Sequence, residues 1–280
     1  MNHLVDFRRR GYDRTAFAIL VVAVYMFPVY WMVTTSVKTP ADIFATPPQI
    51  VPSQPTLDSY REAVIDNPAV LRSIRNSAII GVGTTLLTLV LATPAAYALA
   101  RLRPRGSGLV TLLLLIGQLL PAVVVAGPLF VLFSRIDLIN SFQAMIIADG
   151  TVTVPFAVIV LRPFLLAVPR ELEAAALVDG STRFGAFFRI VLPLIRPGLV
   201  TVAALTFLLA WGDFIFALSL NLNEKIAPIT VVMNSFVGQY GTEWGRMMAV
   251  ATTVAIPIVA IFVALQRFIV GGLTTGATKE

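Results

Sequence analysis

Few residues in this 280-residue chain are of types that do chemistry, and they are not grouped. His3 is the only histidine and there is no cysteine, so thiol catalysis, thiolate metal sites, disulfides and a Ser-His-Asp triad all lack their parts. Gly271, four residues and Gly276 begin like a phosphate-cradling loop. Ala277, however, stands where that loop needs a lysine, and no strand precedes it. The sequence therefore predicts no catalytic residue, no metal site and no cofactor held by this chain. What remains are Asp149 and Asp213, lone acids inside long apolar stretches. A carboxylate is costly in hydrocarbon and usually faces a bundle interior or an aqueous cavity. Asp213 has Trp211, Phe214 and Phe216 beside it, and an acceptor among aromatic faces suits a polyol. The competing expectation is that Asp149 lies at a membrane interface and Asp213 pairs with a neighbouring helix. Gln118 and Asn76 have the same two readings, lining a solute path or bonding between helices.

The elements carrying these residues are membrane helices. The chain is 57% hydrophobic and 13% charged, too apolar for a surface that must stay wet. Since about 20 apolar residues in a helix cross the hydrocarbon core, stretches near 15–37, 73–100, 108–133, 143–166, 198–220 and 247–269 predict an all-α protein with six spans. Arginines cluster before the first span (Arg8, Arg9, Arg10, Arg14), after the second (Arg101, Arg103, Arg105) and after the fourth (Arg170, Arg183, Arg189, Arg196). That excess marks cytoplasmic loops, so both termini are expected on the cytoplasmic side. On the opposite side Lys38, Arg61, Arg72 and Arg75 are offset by Asp42, Asp58, Glu62 and Asp66. The net charge of +6 follows from this topology and does not indicate nucleic-acid binding, which would need a basic face on a soluble module. The first span is long and lacks a small-residue cleavage site, so it is expected to be retained. Arg162, near the inner end of the fourth span, should snorkel to the headgroups.

Between spans, residues 38–72 are proline-rich before a short helix expected near Asp58, a compact cap too small to be a domain. Residues 221–245 are expected to form a partly re-entrant or surface-lying helix. Pro28, Pro94, Pro121, Pro128, Pro155 and Pro257 predict kinks, and Gly81, Gly83, Gly117 and Gly127 permit close helix approach. With no fixed-period repeat, one membrane domain over 1–280 accounts for the chain.

The connection after the fourth span, residues 169–197, is the one sizeable polar element expected on the cytoplasmic side. Pro169 suits a first helical turn, Gly180 can end that helix, and Ser181 or Thr182 can cap a second. Helical spacing sets Leu172, Ala175, Ala176 and Asp179 on one face, and Phe184, Phe187, Phe188 and Val191 on the next. Small residues on the first helix let a partner's backbone come close. Ala175-Ala176, three residues, Gly180, nine residues, then Ile190, Leu192 and Pro193 resemble the signature E-A-A-x3-G-x9-I-x-L-P of ATP-binding-cassette importer permeases. The acid is displaced by one position, with Ala174 where the signature has glutamate and Glu173 just before it, about 100° round the helix.

The resemblance covers nearly the whole chain. QPTLDSYREAV, RNSAI, AAYALARLRPRG, LRPFLLAVPRELEAAALVDGS, LAWGDFIFAL and QRFIVGGLTTGATKE all look like parts of the second, shorter permease of maltose-type carbohydrate uptake systems. Trp211-Gly212-Asp213-Phe214 departs from the family's Trp-Asn-Glu/Asp-Phe, so the asparagine's role does not carry over. The resemblance implies a type I importer permease fold in a bacterial inner membrane, surrounded by lipid and paired with a second permease homologue. It also implies two ATPase subunits that hold ATP and Mg, and an extracytoplasmic solute-binding protein. Glu173, Ala175, Ala176, Asp179, Gly180, Ile190, Leu192 and Pro193 would form the ATPase-coupling contact; Asp213, Trp211, Phe214, Asp149 and Gln118 are the candidate solute path. The rival readings are an ion-driven carrier or channel, which would show charged relays and inverted repeats, and an intramembrane enzyme.

Overall fold

The computed structural model describes residues 2–102, 104–238 and 241–275, with side chains from 15 to 266 among them. Arg103, Gly276, Ala277 and the rest of the tail lie outside the described residues, as do the side chains of His3, Arg8, Arg9, Arg10 and Arg14. The chain runs through α1 (Asn2–Ser36), α2 (Pro40–Ile43) and α3 (Asp58–Tyr60), then a wide π-helical turn over Arg61–Ile65. Next come α4 (Pro68–Tyr97), a second wide turn over Ala98–Leu102, α5 (Ser107–Leu119), α6 (Ala122–Arg135) and α7 (Phe142–Ala167). The polar connection holds α8 (Arg170–Val178), α9 (Arg183–Ala186), a third wide turn over Phe187–Val191, and α10 (Leu192–Leu194). After it follow α11 (Arg196–Trp211), α12 (Ile215–Leu220), a 3-10 turn over Glu224–Ile226, α13 (Ile229–Asn234), β1 (Val237–Gly238), β2 (Gly241–Thr242) and α14 (Trp244–Thr275).

Among the described residues, four helical stretches are long and apolar enough to cross a membrane: Thr15–Ser36, Pro68–Leu102, Phe142–Ala167 and Trp244–Gln266. The number rises to six if each of two bent pairs is a single span. The stretch expected as a span over 108–133 is no single kinked helix, because α5 and α6 meet at 99°. Leu120 and Pro121 are both extended there. Proline has no N–H to continue the ladder and drives the preceding residue out of the helical region. Pro28, Pro94, Pro128, Pro155 and Pro257, by contrast, lie within helices. The other bent pair joins Arg183–Leu194 to Arg196–Trp211 at 74°. Separately, the stretch expected over 198–220 is interrupted, α11 ending at Trp211 and α12 beginning at Ile215. Residues 221–245 are not one surface helix. They hold the 3-10 turn, the six-residue α13 and an antiparallel hairpin pairing Val237 with Thr242 and Gly238 with Gly241.

The chain divides into two compact units, Met1–Leu71 with Met233–Ala255, and Arg72–Val232 with Ile256–Glu280. In the first, buried Lys38 lies over the Trp31 ring at 4.3 Å and donates to Gln49 O at 2.5 Å. Arg246 there bridges Glu62 (2.5 Å) and Glu243 (2.8 Å). In the second unit one apolar cluster joins Ala92 and Ala96 of α4, Leu161 and Leu165 of α7 and Val202 of α11 to Phe187, Val191 and Ile195. The polar connection is thus rooted in the same core as the long helices. Another cluster packs α6, α7 and α12 through Ala126, Phe133, Ala148, Phe216 and Leu220. Gly83 is packed against Ile146 and Gly198 against Phe164, whereas Gly117 and Gly127 face open space.

Candidate functional site

The connection from Arg170 to Ile195 is shaped by its caps. Gly180, at φ +85°, ends α8, with Ser181 N donating to Ala176 O (2.9 Å) and Gly180 N to Leu177 O (3.2 Å). This pairing satisfies carbonyls that would be orphaned at the helix end, and the left-handed residue between them favours glycine. Thr182, not Ser181, caps α9 by accepting from Gly185 N at 3.0 Å. The reversal folds the end of α8 back toward the wide turn and leaves a cup of about 530 Å³. Leu172, Ala175, Ala176, Asp179, Gly180 and Ile190 line it, together with Ser181 and Arg189. Five of the eight predicted coupling residues therefore converge on one concavity. Leu192 and Pro193 lie beyond it in α10. The aromatic stripe divides: Phe187 is buried against Tyr97 (ring centroids 4.7 Å apart), while Phe184 and Phe188 point outward, Phe184 being 73% exposed.

Glu173 does not line the cup. Its Oε1 lies 2.9 Å from Arg101 Nε, an ion pair without the alignment of a hydrogen bond, with side chains only 15% and 6% exposed. Its Oε2 accepts from the Tyr97 hydroxyl at 2.8 Å. Arg101 also donates to the carbonyl of Val168. The acid one place before Ala174 is thus turned inward onto the end of α4.

The candidate path residues fall in two places. At the break between α11 and α12, Asp213 accepts from Ala217 N (3.0 Å) and Phe216 N (3.4 Å), satisfying donors at the start of α12. Its own carbonyl accepts from Thr230 Oγ1 at 2.6 Å. Trp211 is buried and stacked on Phe207, its indole N–H without a partner among the described residues, and Phe214 is half-buried. On α7, buried Asp149 accepts from Thr84 of α4 at 3.5 Å. One turn on, Thr153 donates to Asp149 O (3.0 Å) and pairs with Thr88 of α4 (2.7 Å). Gln118 of α5 donates to Val152 O at 2.7 Å, joining α5 to α7. Asn76 instead clamps the carbonyls of Lys225 and Ala227 at 3.1 and 3.0 Å.

Residues 89–274 match the family model described as "Binding-protein-dependent transport system inner membrane component". The chain belongs to that family. This inner membrane component is a multi-pass membrane protein and not an enzyme, the ATPase of such systems being a separate subunit. It is 35% identical over 254 residues to a sulfoquinovosyl glycerol transport system permease protein from Agrobacterium fabrum, covering 91% of this chain and 89% of the relative. It is 33% identical over 262 residues to a diacetylchitobiose uptake system permease protein from Streptomyces coelicolor, covering 94% and 95%. Its fold is shared with a chain of a bacterial ABC transporter involved in the import of the acidic polysaccharide alginate, at a TM-score of 0.79 and 18% identity over 93% and 96% of the two chains.

Two groups in the component escape sequence reasoning. Tyr97 and Arg101 read only as part of a similar segment and as topology charge. Their i, i+4 spacing at a helix end is a usable signal, but an acid partner 72 or more residues away is not. The Thr84, Thr88, Asp149 and Thr153 seam is likewise two i, i+4 pairs that only packing brings face to face.

Proposed function

We propose that the chain is a transmembrane permease subunit of an ATP-driven importer for a carbohydrate or carbohydrate-like solute, a sugar, oligosaccharide or polyol phosphate. In this reading it forms one permease domain of six spans with both termini cytoplasmic. A second permease homologue pairs with it, two ATPase subunits carrying ATP and Mg dock on the cytoplasmic face, and a binding protein delivers solute from outside. The solute class is supported by relatives whose names specify sulfoquinovosyl glycerol and diacetylchitobiose.

The observation that carries the coupling assignment is the cup over α8 and Ile190. Its wall of alanines and glycine admits a partner closely, and the loop around it is rooted through Phe187, Val191 and Ile195 in the helical core. Closure of the ATPases would push this loop and shift the helices between two states, the coupling free energy passing through one contact. Asp213, Trp211, Phe214, Asp149 and Gln118 are proposed to border the solute path.

The chain has no cysteine, so a cysteine at Ala175 or Asp179 is its sole thiol. In the assembled complex it should cross-link to the ATPase, and uptake into proteoliposomes should require ATP. Uptake driven by an ion gradient without ATP, or failure of both positions to capture the ATPase, refutes the reading.

A further inference from the structure

The motif's leading acid is expected to face a partner, yet the acid here faces inward. Glu173 sits in the first turn of α8, and both of its oxygens are engaged by residues at the end of α4: Oε1 by Arg101 and Oε2 by Tyr97. Arg101 simultaneously holds the carbonyl of Val168, the residue that separates α7 from Pro169 and α8. The Tyr97 ring packs on Phe187, beyond the cup, so the cluster touches the connection on both sides of Gly180. Tyr97 and Arg101 meet α8 together because they are four residues apart, where α4 passes into its wide turn. A buried charge pair of this kind is held by mutual dependence, since removing either member leaves the other desolvated and uncompensated.

We propose that Tyr97, Arg101 and Glu173 are positioning residues forming a bracket that delivers movement of α8 to the end of α4, so that Glu173 acts within the permease and not on the ATPase. The proposal rests on the coupling role of the loop. Covalently, α8 can pull on α7, through Val168 and Pro169, and more indirectly on α11, through α9, the wide turn and α10. The bracket adds α4 as a third lever, which packs in the same core as α7 and α11. Displacement of the loop then moves three helices as a body, whereas without the bracket α8 can yield locally.

The test measures solute transported per ATP hydrolysed by the full complex in proteoliposomes. Glu173→Gln and Arg101→Gln should each lower that ratio by about 5-fold or more, the low end of coupling between two sites. The ATPase should still co-purify and hydrolyse at wild-type rates or faster. The double variant, which leaves no buried unpaired charge, should be no worse than either single change, as expected for residues acting as a unit. Tyr97→Phe keeps the ring on Phe187 and should lower the ratio in the same direction by less. An unchanged ratio in the double variant and in Tyr97→Phe overturns the bracket, as does a fall in assembled complex with the ratio intact. Release of the ATPase by Glu173→Gln but not by Arg101→Gln would instead make Glu173 a docking contact. Capture of the ATPase by a cysteine at Ala175 or Asp179 separates the two readings: without capture at either position the loop is not the coupler, and with capture but an unmoved ratio only the bracket falls.

Discussion

Changing Asp213 distinguishes a helix cap from a group that meets solute. Its carboxylate satisfies two backbone donors at the start of α12, at 3.0 and 3.4 Å, so Asp213→Ala strips both from a six-residue helix. Loss of such a cap costs about 0.5–2 kcal/mol. Asp213→Asn retains a side-chain oxygen for the shorter bond to Ala217, and asparagine and aspartate cap about equally well. The asparagine variant should therefore assemble, melt and hydrolyse ATP like the parent, while the alanine variant melts earlier. A hydroxyl donating to a charged acceptor is worth roughly 1.5–3 kcal/mol. If Asp213 also meets the solute, Asp213→Asn should weaken uptake by about 10- to 100-fold, at roughly 1.4 kcal/mol per decade. The assay is initial uptake rate against solute concentration in proteoliposomes, with melting of the detergent-solubilised complex as the control. Wild-type uptake kinetics in a normally assembled Asp213→Asn complex would remove this residue from the path and leave it a cap.

Two packing predictions follow from the same unit. Gly198→Ala would place a Cβ 2.6 Å from Phe164 Cγ and 2.9 Å from both Cδ atoms, ring atoms that cannot yield, and should cost about 1–3 kcal/mol. Gly83→Ala meets the flexible tip of Ile146 and should lower the melting temperature less; the reverse order would refute the packing assignment. The Thr88–Thr153 pair should contribute about 0.6 kcal/mol, with an upper end near 1.7, so Thr88→Val and Thr153→Val each destabilise. The double valine variant should cost less than their sum, because no hydroxyl of the pair is left without its partner, and strict additivity in thermal melts would deny the coupling.

Membrane residence, four of the long helices and the bounds of the polar connection follow from local patterns. Bilayer thickness imposes an apolar length, and Gly180 and Thr182 carry their cap preferences in their own backbone and side chain, whatever surrounds them. Apolar length could not distinguish a kink from a break at Pro121, since extended Leu120 and Pro121 are tolerated only where packing admits a 99° bend. Nor could it show that Asp213 caps the start of α12, a role that exists only because α11 ends at Trp211. Glu173 shows the difference most clearly. Its type, position and helix are plain in the chain, but whether it faces a partner or its own protein depends on Tyr97 and Arg101, which lie on another helix and reach it only once the helices pack. Periodicity and capping are properties of neighbours in sequence, whereas the partner of a buried charge is chosen by contacts between segments far apart along the chain.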